Sequence, residues 1–179
     1  MSAIDLSPIS FPVHVSRLPK KGMPVKIVAD ADQRAALAAI HGLQAIESLE
    51  ADLLVEAWRA DGVRVSGDIR AELQQICVAS GDPIPTGIDA RFEALYVPDG
   101  SKLTRPRGEG GEMMIDPEGP DMPETFEGDT IDVGQVAEEF FALELDPYPR
   151  REGAAFAPAG DEEPEGPLQA KLKAIRDRL

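Results

Sequence analysis

Three long runs of alternating apolar and polar residues follow one another closely and constrain this chain more than any other feature. Leu49, Ala51, Leu53, Val55 and Ala57 lie opposite Glu50, Asp52 and Glu56. Val63, Val65, Ile69, Ala71 and Leu73 lie opposite Arg64, Asp68, Arg70 and Glu72. Ile84, Ile88, Ala90, Phe92, Ala94 and Tyr96 lie opposite Asp89, Arg91 and Glu93. A period of two sends successive side chains to opposite faces of a strand, so each run buries one side and wets the other. Ala60-Asp61-Gly62 carries the Asp-Gly signal of a tight hairpin, and Ser80-Gly81-Asp82-Pro83 separates the second run from the third. The pattern predicts an antiparallel meander with one apolar face that needs a cover.

The cover is sought in two helical stretches. Asp30 or Asp32 can N-cap DQRAALAAIHG, alanine-rich and closed by Gly42, with Leu37 and Ile40 facing inward. Asp132 and Gln135 resemble a capping box, after which Val133, Val136, Ala137, Phe140 and Leu143 recur at helical spacing until Pro147. Ahead of these, Ile9, Phe11, Val13 and Val15 alternate as a half-buried strand does, and residues 25–29 read as another strand.

The predicted class is α+β: an antiparallel sheet, a meander, backed by one or two helices, with long acidic mobile segments. Residues 1–98 form the sheet domain with one helix. Residues 99–130 are crowded with Gly, Pro and acid, bury too little to offset their ordering entropy, and are expected to be a mobile loop. A helix packing on the domain is expected over 131–146, and an acidic linker over 147–166. The closing segment, 167–179, differs from all of this. Leu168, Leu172, Ile175 and Leu179 make an apolar stripe flanked by Lys171, Lys173, Arg176 and Arg178, with only Asp177 opposing. A helix this short is marginal alone, so the segment reads as one that docks.

Charge sharpens the contrast. The net charge of −15 divides into −4 over residues 1–98 (13 acids, 9 bases) and −11 over 99–179 (20 acids, 9 bases). Such a surface repels phosphate at long range, which argues against DNA binding and against any broad nucleic-acid face. The start of the chain lacks a basic stretch followed by an apolar one, and no run reaches membrane-spanning length. A soluble cytoplasmic protein is expected, with no membrane partner.

The residues that could carry catalysis are few. Cys77 is the only cysteine, so no internal disulfide forms, and Cys77-Val-Ala-Ser80 lacks the second thiol of a zinc knuckle. His14 sits between apolar strand positions and His41 at a helix end. Neither suggests a base for a cysteine nucleophile. With 33 carboxylates, pairs at any spacing arise by chance, and the many that fall in segments expected to move cannot be held as general acid–base pairs. GEGG at 108–111 lacks the strand, helix and lysine of a phosphate loop. Trp58, Phe140 and Phe141 read as packing residues. Cys77 is expected to be small apolar filling at a hairpin end. The expectation is a protein that is not an enzyme and takes no cofactor or metal.

Several stretches resemble the YceD family, the large ribosomal RNA subunit accumulation proteins, in its alphaproteobacterial form. They are AIESLEADLLVEAW at 45–58, VRVSGDIRAELQQICVASGDPIPTGIDARFEALYVP at 63–98 and DTIDVGQVAEEFFALELDPYPR at 129–150. The final GPLQAKLKAIRDRL resembles the family's closing segment, with Gly166-Pro167-Leu168 in place of its usual Asn-Pro-Phe. Many relatives carry C-x-x-C where this chain has Cys77 to Ser80. The resemblance implies a part in synthesis, processing or accumulation of large-subunit ribosomal RNA, and no catalytic residue. The partner is then pre-ribosomal large-subunit RNA or an associated basic protein. The candidate docking residues are Leu168, Lys171, Leu172, Lys173, Ile175, Arg176 and Arg178. The competing reading is an acidic adaptor that captures a basic ribosomal protein or nuclease without touching RNA.

Overall fold

The computed structural model describes residues 7–101, 103 and 122–153. In chain order these form β1 (Pro12–His14), a 3-10 turn (Val15–Arg17), β2 (Met23–Val28), α1 (Ala31–Ile40), β3 (Ala45–Trp58) and β4 (Gly62–Ile76). There follow β5 (Pro83–Pro98), β6 (Glu124–Phe126), β7 (Thr130–Asp132) and α2 (Val133–Leu143). The class is α+β, as the alternation predicts. The main sheet has the order β2-β3-β4-β5-β6, and β1 pairs separately with β7. β2 to β5 form the antiparallel meander, to which β6 adds in parallel beside the end of β5.

The inner face is the apolar one. Leu49, Ala51, Leu53 and Val55 on β3, Val63, Val65, Ile69, Ala71 and Leu73 on β4, and Ile88, Phe92 and Tyr96 on β5 are all buried. Ala57, expected among them, is exposed where β3 runs out toward its turn. At the other end of β3 the parity changes. Ile46 faces Leu73 and Ser48 faces Glu72, so Glu47 is an extra residue in a β-bulge. The bulge lets Ile46 and Leu49 share the core despite their odd spacing. Both sheet edges are blunted, β2 by Pro24 and Lys26 and β6 by its three-residue length.

The first hairpin differs from the Asp-Gly expectation. Trp58 pairs with Gly62, so the loop is Arg59-Ala60-Asp61 and the left-handed residue is Arg59, at φ 56°. Gly62 instead begins β4, where a Cβ would lie 2.7 Å from Trp58 Cε3. Arg59 stacks its guanidinium over the Trp58 ring at 4.5 Å.

α1 opens with a full capping box: the Gln33 amide donates to Asp30 Oδ1 and the Asp30 amide to Gln33 Oε1, each at 2.9 Å. Gly42 closes it at φ +64°. Leu37 is fully buried as expected, but Ile40 is 60% exposed, and Ala38 takes the second inward place. α2 also departs from its predicted stripe. Val133, Val136, Ala137 and Phe141 are buried and Phe140 stacks on Phe92 of β5 at 4.3 Å, whereas Leu143 is 76% exposed.

The roll of α2 has a definite cause. The segment Ile9–Phe11 crosses the first turn of the helix at Gly134, where a Cβ would run into the Ile9 carbonyl oxygen and lie 2.7 Å from its carbon and 2.8 Å from Phe11 N. Only glycine admits that approach, so Gly134 faces inward and Leu143 is turned out. Asp132 holds the same junction. Its carboxylate accepts from the Phe11, Gly134 and Gln135 amides at 2.8, 3.0 and 3.1 Å and from the Ser10 hydroxyl. Only this half of the box is formed, and Gln135 Nε2 donates to Glu139 Oε1 at 3.0 Å. Two further corrections concern the extent of regular structure. Ile9 and Val13 are buried, but the strand there covers only three residues; and Glu124–Phe126, within the segment expected to be a loop, is a strand.

Gly134→Ala is therefore expected to cost at least about 1–3 kcal/mol of unfolding free energy in urea, the usual range for an overpacked contact. Gly87→Ala, whose new methyl would meet nothing nearer than Glu72 Oε1 at 3.5 Å, serves as the tolerant control.

Candidate functional site

The end of α1 and the exposed side of α2 meet over a groove. His41, the C-cap of α1, donates from Nε2 to Glu138 Oε1 at 3.0 Å, with the two side chains 15% and 13% exposed. The imidazole edge rests on Phe141, centroids 5.6 Å apart. Partial exclusion of water strengthens a pair of this kind relative to one on the surface. A hollow of about 540 Å³ lies on one side, lined by Ser7, Pro8, Ile40, His41, Gln135, Glu138, Glu139 and Ala142. Another of about 360 Å³ lies on the other side and includes His41, Leu43, Ile76, Ala142, Asp146 and Pro149. His41 and Ala142 line both, so the two hollows are neighbours, together termed the groove.

The lower wall is built by stitching the chain beyond α2 onto the end of the β4–β5 hairpin. Buried Gln75 donates to the Asp146 carbonyl at 2.8 Å and accepts from the Thr86 hydroxyl at 3.3 Å. The Val78 amide donates to the Pro149 carbonyl at 2.9 Å, and Arg151 reaches Asp82 at 3.6 Å. Gly153, the last described residue, stands four positions past Pro149.

The groove is acidic. Residues 122–149 contain Glu124, Glu127, Asp129, Asp132, Glu138, Glu139, Glu144 and Asp146 and no lysine or arginine. The Tyr96 hydroxyl is pushed well above the ordinary tyrosine range, first by burial and then by the carboxylates of Glu124 and Glu139. Exposed Ile40 adds an apolar surface to this charge.

The outer face of the sheet is a different surface. Lys26 lies 3.2 Å from Glu50 and 3.5 Å from Asp52, Arg64 2.8 Å from Glu56, Arg70 3.3 Å from Asp52, and Arg91 2.9 Å from Asp68. The hydrogen bond from Arg91 holds the Asp68 carboxyl below its ordinary range, and the one to Glu50 holds the Lys26 ammonium above its own. Cations engaged in this way make no phosphate platform.

Cys77 is 1% exposed at the hairpin end, as expected. The Ser80 hydroxyl, then the backbone amides of Arg151, Ser80 and Ala79, favour the thiolate and draw the thiol down to about 6 from an ordinary 9.0. The turn that closes the hairpin supplies these donors, with the Gly81 amide bonded back to the Cys77 carbonyl at 2.9 Å. Among the described residues no group of three or more His, Cys, Asp and Glu is placed to hold a metal ion, and no helix is long and apolar enough to cross a membrane.

The model of the family described as large ribosomal RNA subunit accumulation protein YceD matches residues 65–174, more than half of the chain. The chain belongs to the YceD family. That description places the family in the accumulation of large-subunit ribosomal RNA. No curated protein and no solved structure matches the chain. The YceD match takes in most of β4, all of β5 to β7, and α2, hence Cys77, Gln75 and the acidic side of the groove; α1 with His41 lies before it.

The seven residues read from the sequence as a docking surface, Leu168, Lys171, Leu172, Lys173, Ile175, Arg176 and Arg178, lie outside the described residues. The first four fall within the YceD match, which ends at residue 174. Sequence reasoning missed the groove because His41 and Glu138 are 97 residues apart and join only through packing of the two helices. One signal was in view: the span 122–149, acidic without a single base.

The thiol supplies a pH test. Its folded value lies below its ordinary one, so between about 6 and 9.0 the folded chain binds fewer protons than the unfolded chain. The stability it adds rises with pH across that window and is lost as pH falls through about 6. The gap in urea stability between the native chain and Cys77→Ala is expected to widen from pH 6 to pH 9; a gap that stays constant would remove the thiolate from the account.

Proposed function

We propose that this YceD-family chain is a non-enzymatic factor in large-subunit ribosomal RNA synthesis, processing or accumulation, working in the cytoplasm by binding. The family match over residues 65–174 is the observation that carries the reading. Charge supports a division of labour. The sheet's outer cations are occupied by carboxylates and offer phosphate no free charge, while the acidic groove side repels it. The basic residues of 168–179, Lys171, Lys173, Arg176 and Arg178, are then the part suited to phosphate, through release of the counterions around it.

A second reading, the acidic adaptor, draws support from the groove. An apolar floor between carboxylates accommodates a basic amphipathic segment of a ribosomal protein or nuclease better than it does RNA.

Removing residues 168–179 is expected to change the melting temperature little and to reduce co-sedimentation with large-subunit precursors severalfold, with a steep salt dependence in the intact chain. Unchanged co-sedimentation would overturn the RNA-docking reading. In the adaptor reading, a basic protein stays bound to the full chain after ribonuclease treatment and is released by salt.

A further inference from the structure

The groove between α1 and α2 and the chain's own basic end are complementary. The floor offers exposed Ile40 beside Ala142, and Glu138, Glu139 and Asp146 stand around it. The segment 168–179 carries an apolar stripe of Leu168, Leu172 and Ile175 between four cations and one acid. The described chain also leaves in the right place, since Gly153 follows Pro149, itself part of the lower hollow, by four residues. Residues 154–167 extend to roughly 50 Å at most, enough to bring the segment back over the groove. Tethering by so short a connection raises the effective concentration of the segment to the order of millimolar, so a weak contact is populated.

We propose that residues 168–179 dock in this groove of their own chain, with the apolar stripe on Ile40 and Ala142 and the cations toward Glu138, Glu139 and Asp146. A segment seated there keeps its cations from non-specific phosphate until a tighter ligand displaces it. That consequence rests on the function proposed above; the docking itself rests on the groove and the segment.

The test is zero-length carbodiimide crosslinking of the full chain at low concentration, read by mass spectrometry on an equal mixture of isotopically light and heavy protein. Crosslinks from Lys171 or Lys173 to Glu138, Glu139 or Asp146 are expected within single chains, and high salt is expected to reduce them. The double variant Leu172→Glu, Ile175→Glu is expected to lower their yield about tenfold or more, because two buried apolar contacts are lost. The proposal is overturned if those lysines couple only to acids within 154–167, if their crosslinks join light to heavy chains, or if the double variant leaves the yield unchanged. If the crosslinks fail while removal of 168–179 still abolishes co-sedimentation, the docking falls and the ribosomal reading stands. The opposite pattern separates them the other way.

Discussion

An apolar sheet face is stable in water only when something covers it, and here the cover is held in place by one carboxylate. β3, β4 and β5 present a continuous row of Leu, Ile, Val and Phe on one side. α1 reaches that side through a short connection from β2, but α2 comes from beyond residue 121 and has to be positioned by other means. Asp132 does this by capping α2 while accepting from Ser10 and Phe11, which binds the N-terminal segment and the helix into one junction. Gly134 allows the crossing, and the crossing sets the roll that places Phe141 inside and Leu143 outside. The groove inherits its shape from that roll, since Glu138 meets His41 only when the helix is turned this way.

Charge is distributed with equal consequence. On the outer face, acids and bases alternate across neighbouring strands, and the ion pairs give a neutralised, hydrated surface whose individual pairs contribute modestly to stability. On the helix side there are carboxylates without counter-cations in the sequence around them. Long-range fields depend on unpaired charge, so this second side dominates how the molecule meets a charged partner. The family to which the chain belongs is described by large-subunit ribosomal RNA accumulation.

Much of the fold was legible. Most inward residues of the three long strands could be named from their period of two, and the caps as Asp132 and one of Asp30 and Asp32 from their position ahead of helical runs. The departures have separate causes. Glu47 bulges because Ile46 and Leu49 both find room in the core, a demand made by packing. The hairpin falls where Asp61-Gly62 signals it, but its left-handed residue is Arg59, whose guanidinium stacks on Trp58. The lowering of the Cys77 thiol was not legible because one of the amides that favour the thiolate is that of Arg151, contributed by a distant segment.

The sequence alone determined the α+β class, the amphipathic meander, the caps, the family resemblance and the separation of an acidic body from a basic end. The resemblance rests on matching stretches of sequence; the others follow from local periodicity and composition, which act over a few residues and need no knowledge of neighbours in space. Only the tertiary structure decided the roll of α2, the parallel addition of β6, the pairing of His41 with Glu138 and the donors around Cys77. Each of those joins segments far apart in sequence, and packing against a shared core selects them from many pairings that the local pattern allows equally.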